Sequence, residues 1–343
     1  MKNYEDIAAN VFRRRDAYEA KRSEKHTFYR CITHALTAVG VAACIILCLG
    51  TGYVFANTFH KIDTFLGYFE RRSGTALSQQ QQQYLQEVYA EIGQSVTSAD
   101  VTVTLQAAIT DGTTYYIYLD IVAPENMDLD TLKGVGFNRT LQSKNPNRYR
   151  ISSVSAGCIP IPDGDDKSNT LSMILQTTVT KPTDSPFSFA DGYERTLCLE
   201  TLFAYADEYP YAQYPLANGT WRFSFTFANA AENQPPSIEV LSAPILCQGK
   251  QLSGQNITVS VESIQLHALG ATLRYRSQSG TGAEAIDFDS IQIVLKDGSI
   301  IHAHPRSAIS DSSAGYMTYV YDAPVLFNQI AYLTINDQII PMS

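Results

Sequence analysis

The feature that most constrains this chain is an apolar run close to its N-terminus. The segment HALTAVGVAACIILCLGTGYVFA, residues 34–56, carries no charge unless His34 is protonated. As a helix, the stretch from Ala35 to Ala56 would extend about 33 Å, which matches the roughly 30 Å of hydrocarbon in a bilayer. A helix in a soluble core would show a polar face, and this run has none beyond small Thr and Gly. The run therefore predicts a transmembrane helix over residues 34–56.

A cleaved signal peptide is the main alternative to a permanent anchor. Small residues in VFA, 54–56, suit a signal peptidase, and VAAC, 41–44, resembles a lipobox. The head before the run is about 30 residues long, which exceeds the usual positively charged region of a signal peptide. The apolar stretch also continues as IILCLG beyond the cysteine where a lipobox would end. These features favour retention as an anchor.

The distribution of charge predicts how the chain is oriented. Residues 1–30 hold eight Lys and Arg against five Asp and Glu, whereas residues 57–343 hold 17 against 29. Basic residues flanking a span stay on the cytoplasmic side, so we expect a cytoplasmic N-terminus and extracellular C-terminal domains at the cell membrane. An acidic bulk also argues against direct nucleic acid binding, which needs a basic face.

The cytoplasmic head, residues 1–33, is predicted to form a basic amphipathic helix. Its apolar residues recur at helical spacing, and a basic cluster follows them. The candidate partner-binding residues are Tyr4, Ile7, Val11, Phe12, Arg13, Arg14 and Tyr18. Two interpretations stay open, since such a helix can lie on anionic membrane lipid or dock into the groove of a cytoplasmic partner.

A helical stalk is predicted between the span and the remainder, over residues 57–98. Apolar side chains in KIDTFLGYFERR share one helical face, and YLQEVYAEIG continues the helix after the break SGTALS. The glutamines Gln79–Gln83 are interpreted as a solvated helix face, because they are too few to form a low-complexity tract.

From about residue 99 the apolar period changes to two, which is typical of strands. VTVTLQAAI and YYIYLDI flank a turn at Asp111-Gly112, and further turns are predicted at Asn218-Gly219 and Asp297-Gly298. Trp221 is predicted to fill a core. The fold class is therefore mainly β, with two Ig-like antiparallel β-sandwich domains over residues 99–245 and 246–343.

No motif in the sequence points to catalysis. His302 and His304 share a strand face but lack a third ligand, and DGDD, 163–166, lacks the ligand spacing of a calcium loop. Because no nucleophile elbow, P-loop or zinc-protease motif is present, we expect no enzyme, no cofactor and no metal. Cys158, Cys198 and Cys247 allow at most one disulfide and are interpreted as incidental core residues.

Several segments together resemble a family of membrane-anchored, anti-sigma-factor-like proteins from Gram-positive bacteria, with an Ig-like ectodomain of unknown function. The resemblance lies in the head YEDIAANVFRRRDAYEAKR, the span that follows it, VTVTLQAAITDGTTYYIYLDI, and GTWRFSFTF with ITVSVESIQLHALGATLRYRS. It implies a single-pass signalling protein that holds a cytoplasmic sigma factor and senses a signal outside the cell. The alternative is an anchored extracellular module that binds wall polymer or protein and has no regulatory head.

Overall fold

The computed structural model describes residues 61–132, 134–145, 153–162, 167–180, 187–205, 213–229, 237–241, 244–251, 256–277, 286–288, 291–310, 314–336 and 338–342. All of these belong to one compact unit, residues 58–343. The predicted head and span, residues 1–56, lie outside the described residues. Within the described ranges, no helix combines the length and apolar character that crossing a membrane requires.

Two helices open the described chain. Residues 61–73 form α1, and Gln79–Glu87 form α2. The prediction of helix as far as residue 98 is wrong, because Tyr89–Ser98 forms strand β1. Burial in β1 alternates, with Ile92, Gln94 and Val96 half-buried and the residues between them exposed, which is the period of a strand. The α1 and α2 helices therefore lead directly into a sheet.

The first β block, strands β1–β8, forms two antiparallel sheets. Its remaining strands are β2 Val101–Thr110, β3 Thr114–Val122, β4 Val135–Ser143, β5 Ser153–Ile161, β6 Thr170–Thr180, β7 Arg195–Tyr205 and β8 Gln213–Phe225. Sheet A has the order β1-β2-β3-β6-β5, and sheet B has the order β4-β7-β8. Both sheets contribute side chains to one core around Trp221, which is fully buried as predicted.

Side chains also join the two sheets of the first block along one edge. The Trp221 indole Nε1 donates to the carbonyl of Val101 over 2.9 Å. The Gln94 side-chain amide pairs with the Ser224 backbone, donating to its carbonyl and accepting from its N–H. The amide of Gln94 thus replaces a peptide group where a direct strand pairing between β1 and β8 is missing.

The second β block, strands β9–β18, forms one antiparallel sheet, sheet C. Its strands are β9 Ile238–Glu239, β10 Ile245–Gln251, β11 Asn256–Leu266, β12 Gly270–Ser277, β13 Ile286–Asp287, β14 Ile291–Leu295, β15 Ile300–Ser310, β16 Gly315–Tyr321, β17 Ile330–Ile335 and β18 Gln338–Pro341. The path is β13-β10-β11-β12-β16-β15-β14-β17-β18, with β9 paired to β11. The prediction of a mainly β, antiparallel fold is confirmed, but these strands follow one continuous path rather than forming two separate sheets.

A bulge in strand β2 changes the face of sheet A on which its odd-numbered residues lie. The pairing between β2 and β3 shifts register between Leu105 and Ala107. Leu105 lies in the core shared with sheet B, whereas Ile109 lies in the core shared with the helices and sheet C. The predicted alternation placed these two residues on one face, and the extra residue Gln106 reverses the faces beyond it.

Two of the three predicted turns are confirmed, and one is wrong. Asp111-Gly112 and Asp297-Gly298 each connect neighbouring strands, with positive φ at Gly112 and Gly298. Asn218-Gly219 lies inside β8, opposite a register shift beside Thr201, whose φ is 47°. The register shift marks a bulge between β7 and β8, so β8 continues through Asn218 and Gly219 without turning.

Candidate functional site at the α1 junction

Helix α1 lies where sheet A meets sheet C, and its apolar face is fully buried. Phe65 and Phe69 are 0% exposed and belong to the core that includes residues of both sheets. The Phe69 ring packs edge-on against Tyr116 of β3, with 5.3 Å between centroids. The segment predicted as a stalk therefore packs as a structural element of the β-rich unit over residues 61–87.

A polar cluster at the C-terminal end of α1 connects the helix to sheet C. Arg72 Nε donates to Asp322 Oδ1 over 3.1 Å, and Arg72 Nη1 donates to the hydroxyl of Tyr68 over 2.9 Å. His304 of β15 reaches the same carboxylate, with Nε2 at 2.7 Å from Asp322 Oδ1. One carboxylate oxygen of Asp322 thus contacts the guanidinium of Arg72 from the helix and the imidazole of His304 from the sheet. We call Arg72, Asp322 and His304 the latch cluster.

The two partners of Asp322 keep it in its ionised form. Burial favours the neutral acid, but hydrogen bonding and charge from His304 and Arg72 outweigh burial and hold the pKa of Asp322 below its ordinary value. The side chains of Arg72 and Asp322 are only 18% and 12% exposed, so their ion pair is screened less than a surface pair. The imidazole of His304 is 47% exposed.

The first described turn of α1 is held by a second ion pair. Lys61 Nζ lies 3.0 Å from Glu91 Oε1 of β1. The backbone of β1 takes a positive φ of 64° at Gly93, close to this lysine. Both ends of α1 are therefore bound by charged groups, one to sheet A and the other to sheet C.

A buried carboxylate connects the first β block to the second. Asp111 Oδ1 accepts hydrogen bonds from the backbone N–H groups of Thr113 and Thr114 and from the Thr113 hydroxyl, at 2.7–3.0 Å. Asp111 Oδ2 accepts the backbone N–H of Leu269 over 2.8 Å, across to the loop before β12. The turn of the β2–β3 hairpin is thereby fixed to sheet C beside α1 and α2.

Of the candidate site residues predicted from the sequence, some lie outside the described residues, and His304 belongs to the latch cluster. Tyr4, Ile7, Val11, Phe12, Arg13, Arg14 and Tyr18 lie outside the described residues, and so does DGDD at 163–166. His302 and His304 are both exposed on β15, and only His304 joins the latch cluster. Among the described residues, no group of three His, Cys, Asp or Glu side chains is placed to hold a metal. Cys158, Cys198 and Cys247 carry free thiols.

Sequence reasoning missed Arg72, Asp322 and Asp111 as parts of one junction. Arg72 and Asp322 lie 250 positions apart, so no local spacing could connect them. Asp111 carried a signal, since it forms an Asp-Gly turn between two strongly apolar strands. That signal predicts the turn but not the contact with Leu269, because the register of the whole hairpin decides which loop it meets.

Comparison with known proteins gives a partial family match and a distant structural similarity. A family model described as a domain of unknown function (DUF4179) matches residues 33–123, which include α1, α2, β1–β3 and Asp111. The crystal structure of the conserved domain protein from Bacillus anthracis is similar, with a TM-score of 0.45 and 15% sequence identity, over 72% of this chain and 76% of that chain. Comparison with curated proteins found no match.

Proposed function

We propose that this chain is a single-pass membrane signalling protein of the anti-sigma-factor-like kind. Residues 34–56 form its anchor, the basic head binds a cytoplasmic sigma factor, and Ig-like extracellular β domains sense a signal. The protein acts by binding rather than by catalysis, without a cofactor or a metal. In this proposal α1 carries a change in the β-rich unit to the membrane span.

The observation that carries this proposal is the burial of α1 within the β-rich unit. A flexible tether would isolate the span from events outside the membrane. Here only a few residues separate the proposed span from Ile62, Phe65 and Phe69, which are at most 5% exposed. A rearrangement of either sheet that displaces these side chains must also move the start of α1. This continuity supports transmission of a signal through the helix.

The test isolates the full-length protein from membranes and identifies the cytoplasmic proteins that remain bound. The variant Ile7→Glu with Val11→Glu removes the predicted apolar stripe of the head. The control variant Arg13→Lys with Arg14→Lys keeps both apolar stripe and charge. We expect a sigma factor with the unchanged chain and with the control, and its loss with the glutamate variant. Recovery of no cytoplasmic protein with the unchanged chain would refute the proposal.

An anchored extracellular binding module is the second candidate, and the outer face of sheet C favours it. Ile300 and Ile339 lie on the same face of the sheet at 50% and 63% exposure, and exposed apolar side chains can contribute to a binding surface. Under this alternative, scrambling the head while keeping its charge leaves function intact. Under the first proposal, the same scrambling abolishes retention of the cytoplasmic partner, so one variant separates the two.

A further inference from the structure

We propose that the charge on His304 controls how firmly the C-terminal end of α1 is held to sheet C, so that acidification loosens this end of the helix. The latch cluster is thereby a proton-responsive contact. Its signalling role rests on the proposed function, since only a β-rich unit outside the membrane would meet external acid. The contact itself does not depend on that role.

The geometry makes two groups compete for one oxygen atom. Arg72 Nε and His304 Nε2 lie 3.1 Å and 2.7 Å from the same Asp322 Oδ1. While the imidazole is neutral, the carboxylate has one cationic partner, the guanidinium from α1. Once the imidazole is protonated, two cations approach one carboxylate and repel each other. The sheet then retains Asp322 through His304, and the pairing of Asp322 with α1 weakens.

The surroundings of the cluster favour this outcome. Besides the three cluster members, the titratable and charged groups near it are Tyr68 from α1, Tyr116 from β3, Asp111 from the β2–β3 turn, and His302 and Arg306 from β15. The carboxylate of Asp111 is bound by the backbone N–H groups of Thr113, Thr114 and Leu269. Neither tyrosine supplies a second negative charge, because burial raises the pKa of Tyr116 well above its ordinary value and the hydroxyl of Tyr68 accepts from Arg72. Asp322 is therefore the carboxylate that both cations share.

Histidine is the residue type in the cluster that ordinarily changes charge under mild acid, between about pH 5 and pH 8. The carboxylate of Asp322 stays ionised over that range, because its pKa is held below the ordinary value. The guanidinium stays cationic throughout. Acidification to about pH 5.5 therefore adds one positive charge beside Arg72 and removes none of the negative charge that both cations share.

Hydrogen exchange in the full-length chain in detergent tests the proposal. Amide protection of residues 69–73 is measured at about pH 8 and about pH 5.5, with correction for the intrinsic exchange rate. We expect protection to fall by about tenfold in acid, because repulsion between the two cations weakens the pairing of Asp322 with α1. His304→Gln keeps a neutral polar side chain and should show the same protection at both pH values.

His302→Gln is the matched control, because the side chain of His302 is exposed on the same face of β15 two residues away. Its backbone carbonyl accepts the N–H of Asp322 over 3.2 Å, and the substitution keeps that bond. It should lose protection in acid as the unchanged chain does. No loss in the unchanged chain, or an equal loss in His304→Gln, would overturn the proposal. The readout requires no cytoplasmic partner, so failure to recover a sigma factor would refute the signalling role and leave the latch result to stand separately.

Discussion

Two Asp-Gly turns in this chain share a sequence signature but differ in what their carboxylates do. Asp297 lies in an exposed turn, where its Oδ1 accepts from the backbone N–H and the hydroxyl of Ser299. Asp111 is 5% exposed and also accepts from Leu269 in the second β block. Neutralising the carboxylate should therefore lower stability strongly at Asp111 and little at Asp297. A buried N–H donor that loses its acceptor keeps its full desolvation penalty.

Asp111→Asn should lower the free energy of unfolding by about 2–4 kcal/mol, because the amide –NH2 must face either the Thr113 and Thr114 donors or the N–H of Leu269. Urea denaturation of the full-length chain measures this. Asp297→Asn is the control and should shift the urea midpoint far less. Equal shifts for the two variants would contradict the role assigned to the contact with Leu269.

The turn between β1 and β2 places two non-glycine residues in the left-handed region. Ala99 and Asp100 have φ values of 48° and 59°. This two-residue loop favours Asn-Gly, because both central positions need positive φ. Ala99→Asn with Asp100→Gly should stabilise the chain by about 1 kcal/mol, measured as a rise in Tm. Ala90→Asn, within β1 and without positive φ, is the control and should not stabilise; a comparable rise there would contradict the strain argument.

At the scale of elements, the glutamine run shows how a helix is fixed from one end. Gln81 was predicted to face solvent but is 7% exposed. Its Oε1 accepts from the N–H of Ser78 while the Ser78 hydroxyl accepts from the N–H of Gln81, which forms a capping box for α2. Gln81 Nε2 also donates to the carbonyl of Pro324 over 2.7 Å. One side chain thus caps α2 and binds it to the second β block.

Ser78→Ala should cost about 1 kcal/mol of stability through loss of the cap, and Gln81→Ala should cost more, about 2 kcal/mol, because the buried Pro324 carbonyl also loses its donor. Chemical denaturation gives both values. Gln83→Ala serves as the control, since its exposed side chain contacts only Glu87 within α2. If Gln83→Ala proved as costly as Gln81→Ala, the contribution of the cap and of Pro324 would be refuted.

Patterns of period two predicted most strands, and local irregularities limited what they could place. Tyr115, Ile117, Leu119 and Ile121 occupy one core as their alternation predicts. The bulge at Gln106 places Ile109 in the other core, and no residue type at this position predicts a bulge. The latch cluster could not be predicted from the sequence for a different reason. Its members are far apart in the chain and come together only when α1 packs against sheet C.

At the scale of the whole molecule, α1 makes the two β blocks depend on each other. Phe69 contacts Tyr116 of sheet A and lies in the core that includes Leu269 and Tyr321 of the second block. A core residue shared in this way contributes to both blocks at once. We therefore expect residues 58–343 to unfold in one cooperative transition rather than block by block.

Phe69→Ala should destabilise the chain by about 3–5 kcal/mol, because it leaves a cavity in the shared core. Fluorescence of Trp221, the one tryptophan in the sequence, reports on the first block, and far-ultraviolet circular dichroism reports on both. The two signals should change together and at lower denaturant. Arg71→Ala, on the exposed side of α1, should change stability by no more than about 0.5 kcal/mol. Separate transitions for the two signals would refute the dependence between blocks.

The two ion pairs of α1 and the buried face between them determine what separating the helix from the sheets would cost. Lys61 is bound to Glu91, and Arg72 is bound to Asp322, with the apolar face buried between them. Removing α1 would therefore break both pairs and expose Ile62, Phe65 and Phe69 to water. Weakening either pair would lower the cost of separation and leave its apolar part unchanged.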